Sequence, residues 1–287
     1  MIFTVNGNNN IFGSGQTNSD SVSFNAEING DNNIASTNQT DSFNTTIVIQ
    51  QTGDFNAFSG NDIDSSNNSI SAIQSGSSNN VGFNHTPSFN QMDLMEQYGD
   101  DNSAGATTNT GSDITNYILQ SGDQNDAFIL ISDSANLNSI IIQQGDNNNA
   151  FTNADLAFDS ISSVSQTGES NESFLFQSGS SHSADIIQND TMNMIDAEQT
   201  GFEADLYAYQ DGEQNLITSL QDGDSEMASL NQVGTLNEID LIQSGQQDAA
   251  TLSQDGNNNF LMVTQTGFSD SISVTQLGDN NSATFTQ

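Results

Sequence analysis

Apolar and polar residues alternate in short runs along this chain. In Asn237-Glu238-Ile239-Asp240-Leu241-Ile242-Gln243, the residues Asn237, Ile239, Leu241 and Gln243 share one face. The same stepping gives Asn259, Leu261, Val263 and Gln265, and then Asn281, Ala283, Phe285 and Gln287. Ile272, Val274 and Gln276 repeat it, as do Leu206, Ala208 and Gln210. A period of two predicts strands with one buried face. The other face carries Thr, Ser, Asp and Glu, with some Met, Phe and Ile. Strands of about seven residues are expected. Between them stands Gln-x-Gly-x-x-Asn, whose glycine supplies the positive φ of a tight reversal.

That motif recurs at Gln51-Gly53-Asn56, Gln74-Gly76-Asn79, Gln97-Gly99-Asn102, Gln120-Gly122-Asn125, Gln143-Gly145-Asn148 and Gln166-Gly168-Asn171, always 23 residues apart. Counting back by 23, Val5-Gly7-Asn10 and Ile28-Gly30-Asn33 keep the glycine and asparagine, with an apolar residue in the Gln slot. Beyond Gln166 the step becomes 22, giving Gln188-Asp190-Asn193, Gln210-Gly212-Asn215, Gln232-Gly234-Asn237, Gln254-Gly256-Asn259 and Gln276-Gly278-Asn281. The units therefore start at 5, 28, 51, 74, 97, 120, 143, 166, 188, 210, 232, 254 and 276, and residues 1–287 read as a single repeat domain. A second Gln slot lies eleven residues after the first, at Gln16, Gln39, Gln177, Gln199, Gln221, Gln243, Gln265 and Gln287. In the middle of the chain it holds Asp62, His85, Thr108, Ile131 and Ala154 instead.

Two strands and two turns make one coil, and one coil cannot bury its own apolar face. Stacked coils can, so the expected fold is all-β: a cross-β solenoid of about 13 coils of 22–23 residues. Two parallel sheets would face each other, with coils stacked about 4.7–4.8 Å apart. Stacking places each Gln or Asn above its own copy. An amide both donates and accepts, so it can bond to the copies above and below, whereas a carboxylate only accepts. Acids are accordingly expected mostly in turns and on outward positions.

Composition excludes much else. The 287 residues include 37 Asp and Glu but no Lys or Arg, for a formal charge of -37. Apolar residues make up 33%, below the usual ~45–50%; taken alone this would suggest disorder, but the ordered repeat argues otherwise. Without cations the chain has nothing to replace phosphate counterions, so nucleic-acid binding is excluded. No apolar run is long enough for a membrane helix, so no membrane insertion is expected. No cysteine is present for a disulfide, a thiolate metal site or a nucleophile. The opening Met1-Ile2-Phe3-Thr4-Val5 lacks the basic and long apolar regions of a secretory signal.

The unit from Gln276 to Gln287, Gln-x-Gly-x-x-Asn-x-Ala-x-x-x-Gln, resembles the curlin repeat. Gln143-Gln144-Gly145-Asp146-Asn147-Asn148-Asn149-Ala150 is a second near-ideal copy, and Ser160 followed by Gln166 fits the family's Ser-x5-Gln start. The resemblance runs over essentially the whole chain. Curlins are subunits of curli, the extracellular amyloid fibres of bacterial biofilms. The resemblance thus implies export as an unfolded chain, end-to-end homopolymerisation, adhesion, and partners of the nucleator-subunit and secretion-pore type. Thirteen units exceed the family's usual number, and its Gly-rich pore-addressing segment is not seen. The basic final repeat associated with the nucleating subunit is also absent, so the chain looks more like a major fibre subunit.

Other candidate chemistry is thin. His85 fills a Gln slot and His182 an Asn-like turn slot. Neither has a companion His or Cys, so both read as structural substitutions and no metal site is expected. Asp31, Asp54, Asp100, Asp123, Asp146 and Glu169 each follow a glycine slot and would stack in one file. That file reads as a solvated edge with diffuse cation binding, since neither the calcium nonapeptide nor an EF-hand loop occurs. Around Pro87, Asp93 falls short of an inner apolar slot and Thr108 replaces Gln, so residues 85–113 are expected to be the least stable coils, or to act as gatekeepers against aggregation. No catalysis and no cofactor are expected. Open edge coils would recruit further copies by strand addition. The alternative is a monomeric acidic solenoid binding a surface, carbohydrate or divalent cations through its side, although Thr52, Thr167, Thr200 and Thr266 are too intermittent to form a regular binding file.

Overall fold

The structure, a computed structural model, describes residues 2–287; Met1 and its part in the signal reading lie outside them. All described elements are strands. No helix is long and apolar enough to cross a membrane. The chain falls into two compact units, residues 1–147 and 148–287. Each is a parallel β-solenoid.

In the first unit, strands Ile2–Asn6, Ser23–Asn29, Thr46–Thr52, Ser69–Ser75 and Met92–Tyr98 stack in one sheet. Ile11–Thr17, Ile34–Thr40, Ala57–Ile63 and Asn80–Phe89 stack in the other. Every residue faces the one 23 positions on, as Gln51 faces Gln74. The alternation sorts side chains as the pattern requires. Phe24, Ala26 and Ile28 point inward from one strand, and Ile47, Ile49 and Gln51 from the next.

In the second unit, Ile161–Glu169, Ser183–Thr191, Asp205–Glu213, Met227–Thr235, Ala249–Asn257 and Ser271–Leu277 form one stack. Asn149–Phe158, Glu172–Ser180, Met194–Phe202, Leu216–Asp224, Glu238–Gln246, Phe260–Gln265 and Ser282–Thr286 form the other. Ile239 sits fully buried between Ile217 and Leu261. Each such side chain contributes about 1.5–3 kcal/mol by leaving water.

Strand lengths depart from the expected seven in two ways. Most strands of the second unit run nine residues, because the turn glycines stay in the ladder; Gly201 pairs with Gly223, and Gly223 with Gly245. In the first unit, Ser103–Ser121 and Asp126–Asp146 run unbroken around the second corner. The ladder continues through the bend, with Gly111 opposite Ser134 and Ser112 opposite Ala135. Ser103–Ser121 therefore pairs with both Asn80–Phe89 and Met92–Tyr98, and joins the two stacks into one hydrogen-bonded sheet.

The change of step has a local cause. In 23-residue coils the second corner places left-handed residues three apart, as at Asp64 and Asn67, or Asp133 and Asn136. In 22-residue coils they are two apart, as at Gly179 and Ser181. The register accordingly slips by one between Ala154 and Ala157. Pro87 cannot adopt positive φ, and at its corner only Asn90 is left-handed. At the first corner glycine is required twice over. Gly76 has φ 127°, and a Cβ there would run into the carbonyl of Gly99 in the next coil.

Candidate functional site

The Gln slots form two continuous chains of amides. In the first unit Gln51 Nε2 donates to Gln74 Oε1 at 2.8 Å, Gln74 to Gln97 at 3.0 Å, Gln97 to Gln120 at 2.8 Å and Gln120 to Gln143 at 2.9 Å. In the second unit Gln166 donates to Gln188, Gln188 to Gln210, Gln210 to Gln232, Gln232 to Gln254 and Gln254 to Gln276, all within 2.8–3.0 Å. The second amide proton usually crosses to a strand-end carbonyl of the opposite sheet, as from Gln120 to Ser103 O at 2.8 Å. The other sheet of the second unit carries a further ladder through Gln177, Gln199, Gln221, Gln243, Gln265 and Gln287. Where Ile28 holds the Gln slot it has no N–H to offer, and Gln51 Oε1 is buried without a donor.

The Asn slots also stack amide on amide, as Asn79 Nδ2 on Asn56 Oδ1 at 3.1 Å and Asn259 Nδ2 on Asn237 Oδ1 at 3.0 Å, and they add a second tie. Each side chain ties its own coil to the next turn. Nδ2 of Asn10, Asn33, Asn56, Asn79, Asn102 and Asn125 donates to the carbonyl of Gly30, Gly53, Gly76, Gly99, Gly122 and Gly145 respectively. In the second unit Asn148, Asn193, Asn215, Asn237 and Asn259 reach Gly168, Gly212, Gly234, Gly256 and Gly278, while Asn171 reaches Asp190 O. Asn281 Nδ2 donates to Leu277 O within its own turn and to Asn259 Oδ1 one coil back, at 3.1 and 3.0 Å. Oδ1 takes the backbone N–H of the Asn one coil on, as Asn237 does from Asn259 at 3.1 Å. Of the turn glycines, Gly7 has φ 115° and would collide with Gly30 O if it bore a Cβ, so the cradle is set by backbone contact between coils.

The acidic file of the first corner is not a bare edge. Asp31 Oδ1 accepts the N–H of Asn8 at 2.6 Å, and Asp54 Oδ1 that of Asp31 at 2.7 Å. Asp100, Asp123 and Asp146 accept in the same way from Ser77, Asp100 and Asp123. Each of these carboxylates gives one oxygen, in a solvent-exposed bond, to a backbone donor of the preceding coil. No cluster of three or more His, Asp or Glu side chains suited to a metal occurs among the described residues.

Four acids lie inside instead: Asp62, Asp93, Glu226 and Asp248. The placing of Asp93 corrects the reading that it falls short of an inner slot; it faces inward in the column of Ile70 and Asn116. It belongs to a dry polar cluster around His85. His85 Nε2 lies 2.6 Å from Asp93 Oδ2, and Nδ1 lies 3.6 Å from Asp62 Oδ1. Thr45 and Asn68 donate to Asp62 at 2.7 and 2.8 Å. Asn116 and Gln91 donate to Asp93 at 2.8 and 3.1 Å. Burial alone would push His85 down, but Asp93 and Asp62 outweigh it and raise it to about 9. Burial likewise works upward on Asp62, yet the bonds from His85, Thr45 and Asn68 hold it below the usual carboxylate range.

His182 is the opposite case. Burial lowers it, against the Ser178 carbonyl and Asp205, which work upward. Ala204 N donates to Nδ1, so Nε2 carries the proton and donates to Ser178 O at 3.1 Å.

Residues 162–189 and 236–267 match the family model of the curlin associated repeat. The chain carries the curlin repeat at these two places. A search of the curated proteins finds no match. Both matched stretches lie in the second unit, where Gln recurs every 11 residues. In the first unit, which the family model does not match, Asp62, His85, Thr108 and Ile131 interrupt the second Gln slot of the 23-residue units.

Proposed function

We propose that this curlin-repeat chain is the structural subunit of an extracellular, curli-like amyloid fibre, adding copies end to end to build biofilm matrix and to adhere. One observation carries the reading: successive coils offer one another the same backbone ladder and, from Gln51 onward, the same first-slot amide. Gln97 receives from Gln74 what it gives to Gln120, and the backbone ladder repeats in register. A coil surface so built accepts another coil whichever chain supplies it. The partner is then a second copy, with a nucleator subunit and secretion pore of the curli type upstream. No catalysis is involved.

The charge sets the conditions. Thirty-seven acids oppose no Lys or Arg, so approaching copies repel each other. The test is thioflavin T fluorescence of the purified chain at pH 7 and pH 5, with electron microscopy of the endpoint. Seedable β-rich fibres, forming faster at pH 5, are expected. A β-rich chain that stays monomeric under both conditions would exclude the fibre role.

A further inference from the structure

The two corners of each coil in the second unit pose the same hydrogen-bonding problem, and in two coils the second corner meets it with a buried carboxyl group. At the first corner the residue five after Gln is Asn. Its Oδ1 accepts the next coil's N–H, and its Nδ2 donates to a glycine carbonyl, as Asn237 does to Gly256 at 2.8 Å. At the second corner the equivalent positions hold His182, Ala204, Glu226, Asp248 and Asp270.

Asp248 performs half of the asparagine role. Its Oδ1 accepts the N–H of Asp270 at 2.9 Å. Its Oδ2 then occupies the place of the donating Nδ2. A Cβ built on Gly245 would touch both Asp248 Oδ2 and the carbonyl oxygen of Gly267, so two acceptors converge there. Glu226 shows the same defect one coil earlier. Its Oε1 accepts from Gly245 N at 3.0 Å, and its Oε2 has no partner. Both side chains are 1% exposed, and Asp248 Oδ2 also lacks a donor. A buried acceptor without a donor costs about 1–3 kcal/mol, more if charged.

We infer that the Glu226–Asp248 carboxyl pair is a proton-binding site, in which an O–H group donates at the second corner where asparagine's N–H donates at the first. The surroundings favour it. Glu203 and Asp205 belong to the coil before, Asp222 and Asp224 to the same corner, and Asp270 to the coil after. His182, two coils back, is lowered by its burial and supplies no dependable cation. Burial, and then Asp248, Asp222 and Asp224, raise Glu226 from its ordinary value near 4.5 to about 7, against the single N–H of Gly245. The folded corner thus binds its proton more tightly than the unfolded chain. Stability is complete below about 4.5 and falls as pH rises through about 7. Fibre assembly is not needed for this behaviour.

Hydrogen exchange of the full chain, corrected for intrinsic rates, tests it between pH 5 and pH 8.5. Protection of peptides covering 222–248 should fall by about tenfold or more over that range, the sign of one linked proton. Glu226→Gln supplies a permanent N–H donor and should flatten the profile, with Asp248→Asn acting in the same direction. An infrared band of a protonated carboxyl, present at pH 6 in the wild type and reduced in Glu226→Gln, gives a readout that does not depend on stability. A flat wild-type profile, or an unchanged slope in both variants with no such band, would overturn the site. Restoration of protection at pH 8.5 by calcium alone would assign the pair to a cation instead, and would overturn it equally.

Discussion

His85 Nε2 lies 2.6 Å from Asp93 Oδ2, with both side chains wholly shielded from solvent. In a chain without Lys or Arg, this imidazole is the cation that makes two buried carboxylates tolerable. Removing it while leaving Asp62 and Asp93 should be severe. His85→Ala is expected to destabilise the first unit by about 3–5 kcal/mol, the usual cost of stranding a buried charge. Urea unfolding followed by hydrogen exchange over residues 57–121 measures it.

The same cluster sets a pH window. His85 is raised to about 9, so its contribution is complete below about 6.5 and lost as pH rises through about 9. Asp62 is lowered, so its contribution is present above its ordinary value of 3.8 and lost as pH falls through the depressed one. The first unit should therefore be most stable between roughly pH 4 and 6.5, which a urea midpoint series from pH 3 to pH 10 would check.

Gln120 is bonded on three sides: it accepts from Gln97 and donates to Gln143 and to Ser103 O. Gln120→Ala removes three bonds, two to the buried amides of Gln97 and Gln143 and one to the part-buried Ser103 carbonyl, and a buried group left unmet costs about 1–3 kcal/mol. A loss of at least about 3 kcal/mol is expected, and Gln120→Glu should be worse, because a carboxylate cannot donate onward. Equilibrium denaturation of both variants decides it.

Glycine positions separate cleanly. Gly99→Ala places a Cβ against the Gly122 carbonyl at φ 119°, and should unfold the local coils. Gly13→Ala meets nothing within 4 Å and should be neutral or stabilise by about 0.4–1 kcal/mol. The paired unfolding midpoints give the comparison.

Assembly rate should respond to screening. At about 0.1 M salt the Debye length is about 10 Å, and at 1 M about 3 Å. Raising salt should shorten the thioflavin T lag, and the lag should be least salt-sensitive near pH 4, where the carboxylates are largely discharged.

Much of the fold was legible because the same side chain does the same task in every coil. Alternation around Ile239 and Leu241 marked the inner face, and Gly76 with Asn79 marked the corner. The Gln slots announced an amide ladder, since an amide can both give and take along a stack whereas a carboxylate cannot. The Asn stack followed from the same logic, and Asn102 Nδ2 does meet Asn79 Oδ1 at 3.1 Å. Its second contact, to the Gly122 carbonyl at 2.7 Å, was not legible, because it depends on how closely the next turn approaches.

The sequence by itself determined the coil: its period, its buried alternate positions and its glycine corners, because these follow from local backbone geometry repeated along the chain. The tertiary structure decided which exceptions matter. Asp62, His85 and Asp93 are 31 residues apart from first to last, and in sequence each is a lone misfit in a slot. Stacking brings them together in a dry interior, where each changes the charge the others can carry. Glu226 and Asp248 likewise read as ordinary turn acids until the coils close over them and leave two oxygens without a donor. Burial and proximity, the two quantities that shift a proton, exist only once the coils are stacked.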